Sequence, residues 1–344
     1  MKLIEVPTTK QLYVVSGRSH PELAAEIADC LGVELGEPNL SEFANGEIHC
    51  RYNESIRGAD VFIIQSHTHL DGLTLNDSLM EQLIMVDAAK RASAKRISVV
   101  CPYYGYARQD RKAEGREPIS AKLVADLFRA AGATRLVSVH LHSGQIQGFF
   151  DGPVDHLTAA PVLLDYCRND MPDDLVIVSP DTGRVKVAEK YANKLGADIA
   201  IVHKRHVAGQ KNAVEAREVI GNVEGRPCVL LDDMIDTAGT IVSAADLLIE
   251  RGASGVWALA THGLFSGPAV DRLKNSKIDK VVVTNTLPLP SEKQFDKVEV
   301  LSVAPVIADA IRDRLEHSAL AIHITGESYR GVKARKLASK KKDS

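Results

Sequence analysis

The chain has 344 residues, a mass of 37.3 kDa and a formal net charge of −3, with 45% hydrophobic and 25% charged residues. This composition excludes collagen-like, disordered and small disulfide-rich chains, and a chain of this length can bury a core without cross-links. Its apolar runs are far shorter than the roughly 18 residues of a membrane span, and Glu5 interrupts any apolar region of a signal peptide. We therefore expect a cytoplasmic protein with no membrane partner.

Short runs rich in Val, Ile and Leu alternate with amphipathic stretches in both halves of the chain. The first half predicts strands at 12–15, 61–65, 97–100 and 136–139, and helices at 78–90 and 119–131. The second half predicts strands at 175–178, 199–202, 229–231, 256–260 and 281–283, and helices at 185–195, 240–251 and 306–317. This alternation is typical of parallel α/β sheets covered by helices, and the similarity of the halves predicts two related domains.

Cysteine spacing and charge distribution exclude several kinds of site. No two of the five cysteines are closer than 20 positions, so the sequence holds no Cys-x-x-Cys metal or redox pair. Seven basic residues crowd positions 330–344. We expect a solvated, disordered tail there and no nucleic-acid partner, because Tyr329 is the one aromatic residue beside them that could stack on a base.

The segment richest in chemistry is 229–241, where three apolar residues precede Asp232, Asp233 and a small loop. The apolar residues predict a buried strand, and open α/β sheets bind ligands at the carboxyl ends of such strands. Backbone amides of the loop Asp236-Thr237-Ala238-Gly239-Thr240 and the helix N-terminus after it suit a phosphate. The two adjacent carboxylates would repel a phosphate but would accept hydrogen bonds from a diol. The loop and the carboxylates together predict a ribose 5-phosphate site. The alternative is a strand–turn–helix connection in which the Asp and Thr side chains only cap the helix.

This segment resembles the phosphoribosyl-diphosphate signature that type I phosphoribosyltransferases share with ribose-phosphate diphosphokinases. Three further segments are similar to the diphosphokinases alone, namely Phe43-Ala44-Asn45-Gly46-Glu47, residues 103–112 and the block that begins His140-Leu141-His142. The resemblance extends from residue 12 to residue 321. It implies an α/β fold of two tandem type I phosphoribosyltransferase-like domains, each a mostly parallel sheet flanked by helices.

In that family the first two of these segments bind adenine nucleotide. The resemblance therefore implies that ATP is bound by Phe43, Asn45, Gly46, Glu47, Arg108, Gln109, Asp110, Lys112 and His142. Arg108 and Lys112 offer positive charge to phosphates, and Gln109 and Asp110 can hydrogen-bond the base or ribose. The family's first segment reaches the ATP site of a neighbouring subunit, which implies self-association as a dimer or a larger assembly such as a hexamer.

Two histidines at strand spacing predict a cation site. His140 and His142 follow a predicted strand and are expected on one face of it, with Asp151 and Asp155 further along the chain. A lone histidine would more often be a core residue. The resemblance adds Asp181 to this group and implies Mg²⁺ as the ion, with Mn²⁺ as a second candidate.

The activity that the resemblance implies is transfer of the diphosphoryl group of ATP to the 1-hydroxyl of ribose 5-phosphate. The products would be 5-phosphoribosyl 1-diphosphate and AMP, for nucleotide biosynthesis. Lys204, Arg205 and His206 match the family's catalytic loop, in which the lysine closes over the β-phosphate. Asp232, Asp233 and the loop 236–240 would hold the sugar phosphate.

Some positions depart from the family's pattern. His140 and Asn45 replace aspartates, His206 replaces an arginine, and Arg184 and Val187 stand where glycine and arginine are usual. An imidazole in place of a carboxylate suits Mn²⁺ or Zn²⁺ better than Mg²⁺.

These departures leave two alternatives open: a non-catalytic regulatory paralogue and a type I phosphoribosyltransferase. The ATP segments argue against the transferase, and Lys204 with the intact 232–240 block argues against the paralogue. We expect an N-terminal domain at 1–162 with the ATP segments and a C-terminal domain at 163–318 with the ribose 5-phosphate site. A segment at 319–330 would pack on the N-terminal domain, and a basic tail would follow at 331–344.

Overall fold

The computed structural model describes residues 12–70, 72–205 and 216–319. His206, the predicted packing segment at 319–330 from residue 320 onward, and the predicted basic tail at 331–344 lie outside the described residues. Within the described ranges, no helix combines the length and apolar character that crossing a membrane requires.

The N-terminal half is built on a six-stranded parallel sheet. Its elements are β1 (Leu12–Ser16), α1 (Pro21–Leu31), β2 (Leu35–Gly36), β5 (Asp60–Ile64), α2 (Leu75–Arg91), β6 (Arg96–Cys101), α3 (Ser120–Ala131), β7 (Arg135–Val139) and β8 (Val154–Leu157). The strand order is β2-β1-β5-β6-β7-β8, with every pair parallel. Strands β3 (Asn39–Glu42) and β4 (Ile48–Arg51) form a separate antiparallel hairpin. All five residues of β5 are buried, as expected for a strand covered on both faces.

The C-terminal half is built on a seven-stranded sheet. Its elements are β9 (Val176–Ser179), α5 (Val185–Leu195), β10 (Asp198–Arg205), β11 (Ala216–Ile220), β12 (Pro227–Ile235), α6 (Gly239–Glu250), β13 (Gly255–Gly263), α7 (Ala269–Lys274), β14 (Lys280–Thr284) and β15 (Val298–Leu301). The order is β11-β10-β9-β12-β13-β14-β15, and only the β10–β11 pair is antiparallel within it. The predicted fold class is therefore confirmed, with two parallel sheets flanked by helices.

Two helices join the halves. The predicted boundary after residue 162 falls inside α4 (Ala160–Asp170), which links the two sheets. The last helix, α8 (Ala304–Ala319), returns to the N-terminal half, where Ile307 and Ile311 share one buried cluster with Leu23 and Ile27 of α1. Helix α8, predicted as part of the C-terminal domain, therefore packs on the N-terminal half.

The carboxyl ends of the two sheets face each other. Beyond β5, the Ser66 hydroxyl donates to the carbonyl of Thr286, which follows β14, at 2.6 Å. Beyond β7, His140 Nδ1 lies 2.6 Å from the Thr261 hydroxyl of β13. Since loops at the carboxyl ends of parallel strands bind ligands, this junction is where a site is expected.

Candidate active site

The predicted phosphate loop connects β12 to α6 and forms one wall of a pocket of about 230 Å³. Ala238 adopts a left-handed conformation with φ of 61° at the N-cap of α6, and no side chain caps the helix there. The amides of the first turn consequently point to the pocket without a side-chain partner, as an anion site requires. The Arg272 guanidinium donates to the Thr237 carbonyl at 2.9 Å and holds the loop from outside.

The paired carboxylates at the end of β12 differ in exposure. The Asp233 side chain is 4% exposed and that of Asp232 is 21% exposed. Arg184 ion-pairs with Asp233, and its Nε lies 3.5 Å from Asp232 Oδ1. Burial and the neighbouring Asp233 raise the pKa of Asp232 to about 7. For Asp233, burial acts in the same upward direction, but the His142 hydrogen bond and the Arg184 charge outweigh it and hold its pKa well below the usual range.

His142 comes from the other half of the chain and faces Asp233. Its Nδ1 lies 2.7 Å from Asp233 Oδ2. An ionised carboxylate can only accept, so Nδ1 carries a proton and donates it to Asp233. This carboxylate–histidine pairing orients imidazoles toward metals and phosphates in many enzymes.

His140 does not share a face with His142, contrary to the expectation from strand spacing. Strand β7 ends at Val139, and His140 has a left-handed φ of 50°. The ring turns instead to Thr261 and to His262, whose ring centre is 6.3 Å away. Burial and His262 lower the pKa of His140 to about 4, so the ring is neutral. His140 is thus a half-buried contact between the two halves.

The predicted acidic metal ligands are not brought together. Asp155 lies in β8, away from the carboxyl end of the sheet, and its carboxylate pairs with Arg135 and Arg314 at 2.7 Å each. The Asp151 side chain is 90% exposed, 3.7 Å from Arg129. Asp181 does line the pocket, where its Oδ1 accepts from the backbone amides of Gly183 and Arg184. Among the described residues, no group of three or more His, Cys, Asp or Glu side chains is arranged to hold a metal ion.

The second nucleotide segment reaches the pocket through one residue. Arg108 lines it and pairs with Asp236 at 2.5 Å, across the junction of the halves. Gln109 and Asp110 are engaged locally, since Gln109 accepts from the Ser120 hydroxyl at 2.6 Å and Asp110 accepts from Gln145 at 2.8 Å. Lys112 is exposed on the same loop.

A buried histidine that the sequence analysis did not single out supports this loop. The Gly105 amide donates to His67 Nδ1 at 2.9 Å, and His67 Nε2 donates to Gln82 at 2.9 Å. The His67 ring stacks on Phe128 with a centroid distance of 5.9 Å. Sequence spacing offers no signal for this role, because 38 positions separate His67 from Gly105.

The first nucleotide segment lies on the β3–β4 hairpin, apart from the residues that line the pocket. Every residue from Phe43 to Glu47 is exposed, and Phe43 is 57% exposed. Arg18 connects the hairpin to the core, since it pairs with Glu42 at 2.7 Å and with the fully buried Glu81. Within this chain the segment does not contact the pocket lining.

The predicted catalytic loop begins where β10 ends. In the antiparallel pairing with β11, Lys204 lies opposite Arg217 and Arg205 lies opposite Ala216. The neighbouring strand β9 leads to Asp181, which lines the pocket. His206 lies outside the described part of the chain, so the proposed roles of these three residues stay predictions.

Known proteins match almost the whole chain. The family model described as the N-terminal domain of ribose phosphate pyrophosphokinase matches residues 12–132, and that of the phosphoribosyl synthetase-associated domain matches residues 209–322. A ribose-phosphate pyrophosphokinase of Streptomyces coelicolor is 56% identical over 314 residues, which cover 91% of this chain and 96% of that protein. One of Bifidobacterium longum is 51% identical over 323 residues, covering 93% and 94%.

A solved structure gives the same result. The crystal structure of phosphoribosylpyrophosphate synthetase from Mycobacterium smegmatis has a TM-score of 0.83 to this structure and 51% sequence identity. The match covers 90% of this chain and 100% of that chain.

Proposed function

This chain belongs to the ribose-phosphate pyrophosphokinase family, and from that premise we propose how its residues transfer the diphosphoryl group of ATP to ribose 5-phosphate. The observation that carries the proposal is the pocket between the halves. There a phosphate loop and a carboxylate pair of one half meet Arg108 and His142 of the other. The products are 5-phosphoribosyl 1-diphosphate and AMP.

The sugar phosphate occupies the β12 side of the pocket. The 5-phosphate accepts hydrogen bonds from the amides of 237–241 and from the hydroxyls of Thr237 and Thr240, at the positive end of α6. Asp232, the more exposed carboxylate, accepts from the ribose hydroxyls. Asp233 acts through His142, whose ring it orients. Anchoring the sugar at both ends aims the 1-hydroxyl at the nucleotide.

The triphosphate enters from the N-terminal half, where Arg108 and His142 face the pocket. The donor set fits Mg²⁺ modestly, since Mg²⁺ is usually held by one or two carboxylates, water and substrate phosphates, and Asp181 and Asp232 supply the carboxylates. When bound, Mg²⁺ offsets phosphate charge that grows in the transition state. Arg108 holds phosphate oxygens once it leaves Asp236, and Lys204 closes over the β-phosphate. No covalent intermediate with the protein is needed.

The test is a direct assay of the products. The purified full chain, given ATP, ribose 5-phosphate and Mg²⁺, should release AMP and phosphoribosyl diphosphate in equal amounts. His142→Gln should lower kcat by roughly 10²-fold, because it removes a group that acts on the transferring phosphates. The matched control is His69→Gln, at an exposed histidine outside the pocket, which should keep the wild-type rate.

Two outcomes would contradict the proposal. If nucleotide binds but no AMP forms, the chain is the regulatory paralogue. If a purine base and phosphoribosyl diphosphate yield a nucleotide without ATP, it is a phosphoribosyltransferase. The names of the relatives and the Arg108 and His142 contacts favour the synthetase over both.

We also propose that the chain self-associates through the surface that carries the hairpin. Helix α3 exposes Leu123 and Leu127, its N-cap Ile119 continues the four-residue spacing, and α2, which packs on α3, exposes Met80. The exposed fractions of Ile119, Leu123, Leu127 and Met80 are 36%, 57%, 40% and 52%. Strand β4 packs on α2, and α2 packs on α3, so this apolar stripe is continuous with the hairpin. Exposed apolar stripes of this kind mark protein interfaces.

A second copy of the chain is the occupant we propose, because the hairpin tip does not reach the pocket of its own chain. Leu123→Glu combined with Leu127→Glu should lower the molar mass seen by light scattering and should raise KM for ATP. Arg129→Glu, on another face of α3, is the matched control and should keep the assembly. A wild-type protein that is monomeric at micromolar concentration would contradict this proposal.

The reducing cytoplasm is the compartment we propose. All five cysteines are free thiols. Cys101, Cys167 and Cys228 are buried, and burial raises the pKa of Cys167 to about 12 and of Cys228 to about 11, so both stay protonated. Unpaired thiols in this number are usual where glutathione and thioredoxin keep them reduced.

A further inference from the structure

Arg184 occupies a place in the pocket that the proposed reaction leaves unexplained. We propose that Arg184 is a resident cation of the sugar site, which occupies Asp233 in place of a divalent ion and so allows ribose 5-phosphate to bind before that ion. The inference rests on the proposed function, since it presupposes that the sugar phosphate binds here. It extends that function by naming the side chain whose positive charge offsets the carboxylates next to the sugar.

The position of Arg184 is fixed from both ends. Its backbone amide donates to Asp181 Oδ1 at 3.2 Å, at the residue that precedes α5. Its side chain is only 18% exposed and reaches across to the end of β12, where the guanidinium contacts both carboxylates. A guanidinium is a planar fork with a permanent charge, so it can serve two carboxylates at once and cannot be neutralised at ordinary pH.

The contacts around Asp233 leave little room for another cation on that carboxylate. Asp233 Oδ2 accepts from His142 Nδ1 at 2.7 Å and also from Arg184 Nη2. The 3.3 Å approach of Arg184 Nη2 to His142 Nδ1 follows from this shared acceptor, since both nitrogens carry hydrogen. Two N–H donors therefore already occupy Oδ2, one of the two oxygens through which Asp233 could bind a metal ion.

The charged residues that line the pocket show why the positive charge of Arg184 is needed there. The lining holds four carboxylates, Asp181, Asp232, Asp233 and Asp236, and two guanidiniums, those of Arg108 and Arg184. Arg108 is paired with Asp236 at 2.5 Å. Among the described residues that line the pocket, Arg184 is therefore the cation assigned to the Asp232–Asp233 pair. Without it, two adjacent carboxylates would face an incoming sugar phosphate, and their repulsion would have to be offset by an ion from solution.

The same geometry gives Asp232 its role. Its contact with Arg184 is long, at 3.5 Å, and it is the more exposed of the pair. A ribose diol can therefore donate to Asp232 without displacing Arg184 from Asp233. Arg184 thus offsets one of the two charges of the Asp232–Asp233 pair before a divalent ion arrives.

Equilibrium binding of ribose 5-phosphate, without ATP, tests the inference. Calorimetric titrations are run in EDTA and again with millimolar Mg²⁺, on the wild type, Arg184→Gln and Arg184→Lys. The wild type should bind with similar affinity in both buffers. Arg184→Gln, which replaces the guanidinium by a shorter neutral amide, should lose roughly 10-fold or more in EDTA and recover most of it with Mg²⁺. Arg184→Lys should fall between the two.

A second measurement avoids the substrate altogether. Mn²⁺ binding to the substrate-free protein, followed by electron paramagnetic resonance, should increase in Arg184→Gln relative to the wild type. Adding Asp233→Asn to Arg184→Gln should remove the gain, because it removes one of the two carboxylates. A variant with altered folding alone would not acquire an ion site that depends on Asp233.

The possible results distinguish a failure of the role proposed for Arg184 from a failure of the proposed synthetase function. Wild-type binding of ribose 5-phosphate that requires Mg²⁺, or an Arg184→Gln variant that binds equally well in EDTA, would overturn the resident-cation role and leave the synthetase assignment intact. A wild type that binds no ribose 5-phosphate in either buffer would overturn both. An Arg184→Gln variant that gains no Mn²⁺ would also count against the role.

Discussion

Replacing Asp155 with alanine should weaken the fold and leave catalysis nearly unchanged. The Asp155 carboxylate is 7% exposed and receives one hydrogen bond from Arg135 and two from Arg314, which brings α8 onto the N-terminal half. A buried hydrogen bond to a charged group contributes about 1.5–3 kcal/mol. The two arginine side chains are 24% and 44% exposed, so water replaces part of what they lose. We therefore expect a loss of roughly 2–3 kcal/mol in the free energy of unfolding.

Thermal unfolding measures this loss. An unfolding entropy of about 2.1 cal/mol/K per residue means that a domain pair of this size loses roughly 3–4 °C in Tm for that change. Asp151→Ala is the matched control, because the Asp151 side chain is 90% exposed and 3.7 Å from Arg129; it should shift Tm by less than about 1 °C. An Asp155→Ala protein with wild-type Tm and a raised Mg²⁺ requirement would refute the reasoning and restore Asp155 as a metal ligand.

Three further predictions concern buried titratable groups. Burial lowers the pKa values of His67, His140 and His262 to about 4, so below about pH 6.5 the unfolded rings bind protons that the folded ones exclude. Tm should therefore fall as pH falls from 7 to 5, and a flat calorimetric profile would contradict this. His67→Ala removes the acceptor of the Gly105 amide and should raise KM for ATP several-fold with less change in KM for ribose 5-phosphate; equal changes would indicate general damage. Because the pKa of Asp232 is raised to about 7, affinity for ribose 5-phosphate should rise from pH 6 to 8, and Asp232→Asn should flatten that rise.

The central parallel strands of both halves could be predicted because their signal is local. Every predicted strand and helix overlaps an element of its type, and β5 and β12 contain the continuous apolar runs 61–64 and 228–231, which favour buried strands. The hairpin strands β3 and β4 were missed, since each is only four residues long and residues 39–51 are mostly exposed. The short strand β2, only two residues long, carries no periodic signal at all.

The site was only partly predictable for a different reason. Asp232, Asp233 and the loop 236–240 are adjacent in sequence, so their shared location follows from one strand–loop–helix unit. The contacts that assign roles to them are not local, since 91 positions separate His142 from Asp233 and 42 separate Arg184 from His142. The shared face predicted for His140 and His142 depended on one backbone angle, because the left-handed φ of His140 after β7 turns its ring to Thr261.

The return of α8 bears on how this enzyme can be divided. Each half contains a complete sheet, but the surface of α1 that carries Leu23 and Ile27 is covered by Ile307 and Ile311 of α8, from the other end of the chain. A fragment that ends at Ser302 would lack α8, so this surface of α1 would be exposed to water. Asp155 would also lose Arg314 and keep only its pairing with Arg135. The halves are therefore not interchangeable modules, and recombination between homologous enzymes should exchange α8 together with the N-terminal segment it covers.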